Sequence, residues 1–448
     1  MQNFSDLGIQ IPQILLPGAS IDLSRWAVIA VDQFTSQPEY WQNVEKLVGD
    51  APSTFNMVLP EIYLGKQGEQ QRIARCNAAM EAYLAGGYLV LHQGMLLVER
   101  SCSGRNRHGI LLALDLEKYD YHPGSKTLIR ASEQTILDRI PPRRKIRQKA
   151  ALEIPHILVL IDDPGRTVIE PLAAAKNRLK SLYDFELMLG GGHLRGYLVD
   201  DEADVRSTAA ALEKLANPHD FASRHNLPVQ EPVLLFAVGD GNHSLATAKS
   251  IWEDLKADAG SHHPARYALV EVVNIHDEGL LFEPIHRILF HIKEDVVTAL
   301  QDYFGDRICF LPWQDRRQSR LDSLENAGQI VWLETADEHL GILFSGLKDG
   351  LALAALQSFL DDFLRSGAAG GIDYVHGEEI VSRLGTQPGN AGFFLPPMGK
   401  DSLFPAIIRN GVLPRKAFSM GEAREKRYYL ECRQISAKDA LGSRSCDE

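Results

Sequence analysis

Hydrophobic residues along the chain follow two patterns, short continuous runs and longer stretches with a period near 3.6 residues. The runs Arg25–Val31, His156–Ile161 and Leu234–Val238 are apolar and rich in branched residues, which predicts buried strands. The stretches Pro38–Gly49 and Gln70–Leu84 carry their apolar residues at helical spacing and end at glycines, which predicts helices. The chain is therefore predicted to alternate strands and helices.

Several strand-like segments are separated by turn residues alone. Tyr88–His92 and Met95–Arg100 are joined around Gln93-Gly94, and Asp184–Leu189 and His193–Val199 flank three glycines. Both pairs are typical of hairpins. Hairpins mixed with helices predict an α+β or mixed α/β fold with mixed and antiparallel sheets, and they argue against one doubly wound parallel sheet.

The 448 residues exceed what one hydrophobic core usually supports. We expect an N-terminal and central region over residues 1–290, which holds the candidate site, and a C-terminal region over residues 291–448. The boundary is placed near Phe290–Glu294, and a single interlocked unit is the alternative. No internal repeat or low-complexity linker marks the boundary more sharply.

Composition narrows the classes of function. The formal net charge of −12 argues against a nucleic-acid-binding surface as the main role, although one local basic pocket stays open. The N-terminus has no basic leader, and no stretch is long and apolar enough to span a bilayer. Five scattered cysteines form no CxxC pair. These features predict a cytoplasmic protein with reduced thiols, no membrane partner and an oligomeric state that the sequence leaves open.

The most function-like segment follows the third strand-like run. Gly239 and Gly241 flank Asp240, and a helix is predicted to begin at Asn242 or His243. The N–H groups at such a helix start attract anions, and the glycines allow a phosphate to approach closely. Asp240 could hold a divalent metal or a hydroxyl group, and His243 could exchange a proton. Alternatively, Asp240 and Asn242 cap the helix and His243 is a satisfied surface histidine.

Three further residues are candidates. Asp32 follows a buried strand, where a carboxylate could act as a base or a metal ligand, or could accept hydrogen bonds from backbone N–H groups of its loop. Arg130 stands near the only dense basic stretch, Pro141–Arg147, and could face a phosphate. Arg287 lies in an apolar run, so it either binds an anionic ligand or pairs with a core carboxylate such as Glu271.

The order of several motifs resembles the uncharacterised prokaryotic family known as domain of unknown function ten-fifteen. The resemblance runs from about Pro17 to Cys432. It is carried by these segments: Trp26–Gln37, Arg130–Glu133, Gly239–Thr247, Pro284–Arg287, Tyr374–Glu379, Leu395–Pro397 and Leu413–Gly421.

The central motif of that family, usually Asp-Gly-His-His-Arg, is similar to the phosphate-binding turn of the ParB/sulfiredoxin superfamily. Sulfiredoxin binds ATP there, ParB-type proteins bind CTP, and an archaeal free-serine kinase uses ADP. Asp240, Gly241 and His243 match the motif, whereas Asn242 replaces its first histidine and Ser244 replaces its arginine. Because that arginine makes a charge-assisted contact with phosphate, another cation must replace it. The candidates are Arg130, Arg287, Arg143, Arg144 and Arg147.

The resemblance implies a nucleotide-binding enzyme of serine metabolism, because genes of this family often lie beside those for phosphoglycerate dehydrogenase and phosphoserine aminotransferase. The implied activity is Mg²⁺-dependent phosphoryl transfer between serine or phosphoserine, or a similar small phosphorylated metabolite, and ATP or ADP. A phosphoserine phosphatase and a non-catalytic ParB-like regulatory or scaffold protein are the alternatives. The implied roles are catalysis for Asp32, Asp240 and His243, ligand binding for Gly239, Gly241, Asn242, Ser244, Arg130 and Arg287, and Mg²⁺ binding for Asp32 and Asp240.

Overall fold

The structure of the protein, a computed structural model, describes residues 2–35, 37–317, 329–346 and 352–436. Its strands are β1 Asn3–Phe4, β2 Ile9–Gln10, β3 Gln13–Pro17, β4 Val28–Ile29, β5 Leu89–Gln93, β6 Met95–Cys102, β7 Arg105–Asp115, β8 Tyr119–Asp120, β9 Ile129–Ala131, β10 Leu152–Glu153, β11 Leu158–Ile161, β12 Lys180–Leu187, β13 Gly192–Val199, β14 Phe236–Asp240, β15 Tyr267–Asn274, β16 Phe282–Pro284, β17 His286–Phe290, β18 Ile308–Pro312, β19 Ile330–Thr335, β20 His339–Phe344, β21 Gly371–Val375, β22 Ala391–Phe394, β23 Phe418–Met420, β24 Tyr428–Tyr429 and β25 Arg433–Gln434.

The α-helices within the same residues complete the fold. They are α1 Leu23–Trp26, α2 Pro38–Val48, α3 Glu69–Ala85, α4 Ile140–Arg147, α5 Glu170–Ala174, α6 Glu202–Leu215, α7 Pro218–His225, α8 Asn242–Ala259, α9 Val296–Phe304, α10 Ala352–Arg365, α11 Glu378–Gly385 and α12 Lys400–Asn410. The predicted α+β class with mixed sheets is confirmed. The ParB/sulfiredoxin-like core stays a prediction.

The chain divides into two compact units. The described residues of 1–131, 135–280 and 423–448 form the first unit, and those of 132–134 and 281–422 form the second. The first unit is therefore built from three separate stretches of sequence. The predicted division at residue 290 stays a prediction.

The first unit is organised around a large mixed sheet. Its strand order is β12-β13-β6-β7-β15-β11-β14-β9-β8, in which β11 and β15, β14 and β9, and β9 and β8 are parallel pairs. Both faces of this sheet are covered. Helix α8 packs on one face through Leu245, Ala248 and Trp252. Strand β4 and Tyr428 belong to the core on the other face. This sheet places Asp240 at the end of a buried strand.

The second unit contains an antiparallel sheet of its own. The order of its strands is β18-β20-β19-β22-β17-β21, and every pairing is antiparallel. Strand β17 lies between β22 and β21, and His286, Arg287, Ile288 and Leu289 along it are buried. A smaller pair, β16 with β23, also belongs to this unit.

Two predicted elements differ from the structure. The strand predicted over Arg25–Val31 is reduced to β4, because Asp22 caps helix α1 by accepting a hydrogen bond from the backbone N–H of Ser24 at 3.0 Å. The predicted hairpin around Gln93-Gly94 is wrong, because β5 pairs with β3 while β6 pairs with β7 and β13. The second predicted hairpin is confirmed as the antiparallel pair β12 and β13.

The described residues contain no helix that combines the length and the apolar composition needed to cross a membrane. The four cysteines among them, Cys76, Cys102, Cys309 and Cys432, form no disulfide with one another. Cys446 lies outside the described residues.

The buried His286 of the second unit predicts a pH dependence of stability. Burial and the nearby charges of Arg316, Arg287 and His376 lower the pKa of His286 to about 4 from its ordinary 6.5. The ring accepts a hydrogen bond from the backbone N–H of Leu395 at 3.0 Å through Nδ1. Because the unfolded chain takes up this proton first, the stabilisation is full above pH 6.5 and is lost as the pH falls toward 4.

We expect this single histidine to remove roughly 3 kcal/mol of stability across that pH interval. The measurement is urea unfolding at several pH values for the wild-type protein and the His286→Gln variant. The free energy of unfolding of this variant should change less steeply with pH, by a slope that corresponds to the uptake of up to one proton. Replacing the exposed His262 by glutamine should leave the slope of the wild type unchanged. Equal slopes for wild type and His286→Gln would contradict the prediction.

Candidate functional site

The candidate site is built on the turn between β14 and α8 in the first unit. Asp240 ends the strand and Asn242 begins the helix, so a single residue, Gly241, reverses the chain. Gly241 has a φ of 79°, and a Cβ at this position would lie 3.0 Å from the Cα and Cγ1 atoms of Ile157. Glycine is required here by both the left-handed backbone and the close approach of Ile157.

A lysine supplies positive charge beside this turn. The Nζ atom of Lys426 lies 3.1 Å from Oδ2 of Asp240, and the backbone N–H of Gly241 donates to Oδ1 of Asp240 at 2.9 Å. The two side chains are only 10% and 21% exposed, so the ion pair is screened by water less than a surface pair. The aspartate thus orients both the lysine and the glycine turn.

A second set of polar groups leads from the helix toward the Asp32 loop. The Oγ atom of Ser244 lies 3.3 Å from Nε2 of His156, and the hydroxyl oxygen of Tyr429 lies 2.9 Å from Nδ1 of the same ring. The two rings meet edge to face with centroids 5.4 Å apart. The backbone N–H of Val31 donates to the hydroxyl oxygen of Tyr429 at 3.4 Å.

Asp32 lies close enough to this set to act on it electrostatically. Burial and the negative charge of Asp32 raise the pKa of Tyr429 well above its ordinary value, so its phenol stays protonated. The Oδ1 atom of Asp32 accepts a hydrogen bond from Nε2 of Gln33 at 3.0 Å. The structure therefore brings Asp32 and Ser244, which are distant in sequence, to the two ends of one Tyr429–His156 connection.

His243 and Asn242 occupy the first turn of α8. The Nε2 atom of His243 accepts a hydrogen bond from the backbone N–H of Ile136 at 3.1 Å, which places the ring proton on Nδ1 when the imidazole is neutral. Asn242 is 9% exposed, and its Oδ1 atom has no hydrogen-bond partner among the described residues. An unpaired buried polar atom is costly, so the site has hydrogen-bonding capacity left for a ligand.

Arg130 and Arg287, which were predicted to bind phosphate, hold backbone segments together. Arg130 donates to the carbonyl oxygens of Thr127 and Pro232, both at 2.8 Å, and its burial lowers its pKa. Arg287 belongs to the second unit and donates to the carbonyl oxygen of Lys416 at 2.9 Å and to a side-chain oxygen of Gln357 at 3.2 Å. Burial lowers the pKa of Arg287 to about 10. The structure does not bring either arginine into contact with Asp240 or Ser244.

The three arginines of the basic stretch are each paired. Arg143 forms an ion pair with Glu61, and Arg144 pairs with Asp254. Arg147 lies 2.5 Å from Glu153. The positive charge of Arg143 lowers the pKa of Tyr429 against the larger effect of burial, which links this arginine electrostatically to the candidate site.

The fit of the site to Mg²⁺ depends on the oxygens of Asp240. One of them contacts Lys426 and the other accepts the N–H of Gly241, so binding a metal would displace the lysine. The described residues contain no group of three or more His, Cys, Asp or Glu residues that could hold a metal ion. These residues fit a site that binds an anion through the positive charge of Lys426 better than a metal site formed by the protein alone.

The residues that the sequence did not single out are Lys426, His156 and Tyr429. Tyr429 lies in a late segment, Arg427–Cys432, that the sequence predicts as a strand, and Lys426 immediately precedes it, whereas His156 is the first residue of the predicted strand His156–Ile161. A polar residue at the end of a predicted buried strand is the signal that could have identified His156. The pairing of Lys426 and Tyr429 with this site depends on contacts between distant parts of the sequence.

Comparison with models of known protein families gives a match that covers most of the chain. The profile of the family described as "Protein of unknown function (DUF1015)" matches residues 15–363. No curated protein matches the sequence significantly.

Solved structures show a weaker similarity. A structure entitled "Free serine kinase in complex with AMP" has 10% identity and a TM-score of 0.37, with 74% of this chain and 93% of that chain covered. A conserved hypothetical protein from Pyrococcus furiosus has 12% identity and a TM-score of 0.34, with coverages of 71% and 90%. SbnI from Staphylococcus aureus, truncated at its C-terminus, has 12% identity and a TM-score of 0.34, with coverages of 74% and 85%. At these scores the functional argument rests on the residues of this chain.

Proposed function

The chain belongs to the DUF1015 family, and on that premise we propose that it is a phosphotransferase that moves a phosphoryl group between serine or phosphoserine and ADP or ATP. The observation that carries the proposal is the Lys426–Asp240 ion pair at the start of helix α8. It supplies a cation at the turn that, in similar proteins, uses an arginine. Ser244 stands in the place of that arginine.

The first step of the argument is anion binding. The first N–H groups of a helix have no partner inside the helix, and the dipole of a helix as long as α8 favours negative charge at this end. Lys426 adds a positive charge in a largely buried environment. Helix starts with this geometry bind phosphate groups, and a neighbouring lysine strengthens the contact with charge-assisted hydrogen bonds.

The second step is proton transfer to or from the reacting hydroxyl group. Asp32 is the carboxylate that follows Val31, whose backbone N–H donates to the hydroxyl oxygen of Tyr429. In the proposed reaction Asp32 accepts the proton of the serine hydroxyl, while Asp240 orients Lys426. Phosphoryl transfer demands mainly positioning and charge neutralisation, which these residues provide. Mg²⁺ belongs in this reaction with the phosphates of the nucleotide substrate.

The third step is the choice of substrate, which rests on the resemblance of the Asp240–Ser244 turn to that of the free-serine kinase. Serine carries both an amino and a carboxylate group, and the site offers groups of both polarities. The unpaired Oδ1 atom of Asn242 can accept from an ammonium group, and Arg143 contributes positive charge that acts on Tyr429. A small zwitterion is therefore a chemically suitable ligand.

Incubation with labelled phosphoserine, Mg²⁺ and either AMP, ADP or no nucleotide tests the proposal directly. We expect ATP or ADP to appear together with serine. Free phosphate without nucleotide would support the phosphatase instead. Binding without turnover in any mixture would leave the regulatory or scaffold role.

A thermal-shift series should show stabilisation of roughly 2.7 kcal/mol at about a hundred times the Kd of a phosphate-bearing ligand.

We predict that Asp32 and Asp240 serve the reaction more than folding. Asp32→Asn and Asp240→Asn should each lower the transfer rate by about 10²-fold or more, because each removes a charge that positions or deprotonates a reacting group. Their free energies of unfolding should fall by no more than about 0.5–2 kcal/mol, so their melting temperatures should stay near that of the wild type. Asp254 lies on helix α8 and pairs with Arg144, so Asp254→Asn is the matched control and should keep full activity. A fully active Asp32→Asn or Asp240→Asn protein would remove that residue from the mechanism.

A further inference from the structure

Ser244 and His156 form a pair that the proposed transfer does not yet use. We propose that Ser244 is a nucleophile that carries the phosphoryl group as a covalent phosphoserine, with His156 as its general base and Tyr429 as the positioning residue of that base. This inference rests on the proposed function, because it assigns a covalent intermediate to the same transfer. It converts one direct transfer into two successive ones.

The geometry of the hydroxyl group carries the first part of the inference. The Oγ atom of Ser244 lies 3.3 Å from Nε2 of His156, within the reach that proton abstraction requires in a protein without substrate. Ser244 is half-buried in the first turn of α8 and is therefore still accessible to a small ligand. A phosphoryl group bound at the helix start would lie beside the hydroxyl group that attacks it.

The orientation of the base carries the second part. Both ring nitrogens of His156 are engaged, Nε2 with Ser244 and Nδ1 with the phenol of Tyr429 at 2.9 Å. The edge-to-face contact of the two rings limits rotation of the imidazole. A nucleophile, a base and a third group that orients the base is the arrangement by which serine hydroxyls are activated on unrelated folds.

Charge neutralisation carries the third part. The negative charge that develops on the phosphoryl oxygens is countered by the N–H groups of the first helical turn and by Lys426, which Asp240 holds beside the turn. Donors fixed in advance at this position are worth more than donors that must reorganise during the reaction. Lys426 thus brings to the β14–α8 turn the kind of charge that the usual arginine carries, through its contact with Asp240.

The proposed step balances as follows. The Oγ–H bond of Ser244 breaks and its proton moves to Nε2 of His156, while Oγ bonds to phosphorus and the bond from phosphorus to the nucleotide oxygen breaks. The shortened nucleotide leaves with the negative charge on that oxygen, and the charge is neutralised by solvent or Mg²⁺. In the second half, the proton of the serine hydroxyl moves to Asp32 and the serine oxygen bonds to phosphorus. The bond from phosphorus to Oγ of Ser244 breaks, Oγ recovers its proton from His156, and Asp32 releases its proton to solvent.

The test uses the full-length protein and two arms. In the first arm, a fluorophosphonate probe measures the nucleophilicity of Ser244 without any need for the natural substrate. Oγ bonds to phosphorus, fluoride leaves, and the proton passes through His156 to water. We expect peptide mapping to locate the adduct on Ser244 and not on Ser250, which lies on the same helix and contacts Arg144.

Variants then separate the roles. His156→Gln should lower the labelling rate by about 10²-fold or more, and His156→Asn serves as the second substitution if the first fails to fold. Tyr429→Phe should lower the rate less and shift its pH profile, which a merely structural role would not do. Ser250→Ala is the matched control and should label like wild type. Labelling of Ser244 no faster than Ser250, or unaffected by both histidine substitutions, would overturn the inference.

The second arm is acid-quenched mass spectrometry after incubation with ADP or ATP in the absence of serine. We expect one phosphoryl group on Ser244, and exchange of label between the two nucleotides that Ser244→Ala abolishes. Serine–phosphoserine transfer at the wild-type rate by Ser244→Ala would overturn the inference and leave the proposed function standing. Phosphorylated Ser244 without transfer to serine would support the nucleophile and remove serine as the acceptor.

Discussion

Replacing Lys426 by methionine is expected to lower the rate of phosphoryl transfer by about 10²–10³-fold, the loss typical of removing one preorganised donor of transition-state charge. Lys426 is the cation in contact with Asp240 at the start of α8. Methionine keeps the length and apolar character of the side chain but removes its charge. The KM for the phosphorylated substrate should rise as well, because the lysine also attracts the phosphate in the ground state.

The stability of the same variant makes the result interpretable. Losing the lysine of the Lys426–Asp240 pair should lower the free energy of unfolding by about 1 kcal/mol. The double variant Lys426→Met with Asp240→Asn should recover most of that stability without recovering activity. Lys249→Met removes a similarly shielded lysine of α8 that pairs with Glu253 and serves as the control. Wild-type turnover in Lys426→Met, measured with labelled phosphoserine and ADP, would exclude the lysine from the mechanism.

Replacing Arg427 by methionine is expected to lower the free energy of unfolding by about 3–5 kcal/mol, because it removes the charge partner of the buried Glu431 and leaves the buried Glu271 with only the longer ion pair to Arg107 at 3.4 Å. The guanidinium lies 2.8 Å from Glu271 and 2.7 Å from Glu431 and donates to the carbonyl oxygen of Pro155 at 2.9 Å. All three charged side chains are at most 5% exposed. The two carboxylates raise the pKa of Arg427 above its ordinary value despite its burial, so the group stays charged.

The effect should reach the site, because Arg427 holds Pro155 next to His156 and precedes Tyr429 in the chain. Arg427→Lys should recover part of the stability, since lysine keeps the charge but cannot bridge both carboxylates and the carbonyl oxygen at once. Urea unfolding of the purified variants is the measurement. Arg206→Met, which removes an exposed pair with Glu202, should change stability by less than about 0.5 kcal/mol. An Arg427→Met protein within that same margin would contradict the prediction.

Local sequence was sufficient to predict the central turn. Two glycines around Asp240 followed by apolar residues at helical spacing left few alternatives to a strand, a sharp reversal and a helix, and β14, Gly241 and α8 have that arrangement. The helices α2, α3 and α6 were predictable for the same reason, since their spacing and end signals lie within each segment. Signals of this kind are complete within about 20 residues.

The partners of the turn were not predictable in this way. The connection at Gln93-Gly94 has the composition of a hairpin, but the strands on either side of it do not pair with each other. Strand β5 pairs with β3, and β6 pairs with β7 and β13. The same limit explains why arginines were expected near Ser244 and a lysine is found. The composition of a segment shows which basic residues it contains. Contacts between segments that are distant in sequence determine which of these residues lies at the β14–α8 turn.

The order in which the ribosome delivers these parts has a consequence for activity in the cell. Lys426 and Tyr429 belong to the first unit, yet the residues of the second unit precede them in the sequence. At about 5–20 residues per second, the roughly 190 residues between Gly241 and Tyr429 take about 10–40 s to synthesise, and for most of that time the turn has neither its lysine nor its tyrosine. A nascent chain can therefore form β14 and α8 early and still handle no phosphate. Under the proposed function, phosphoryl transfer starts only once Lys426 and Tyr429 have been synthesised, so a shorter nascent chain consumes no nucleotide.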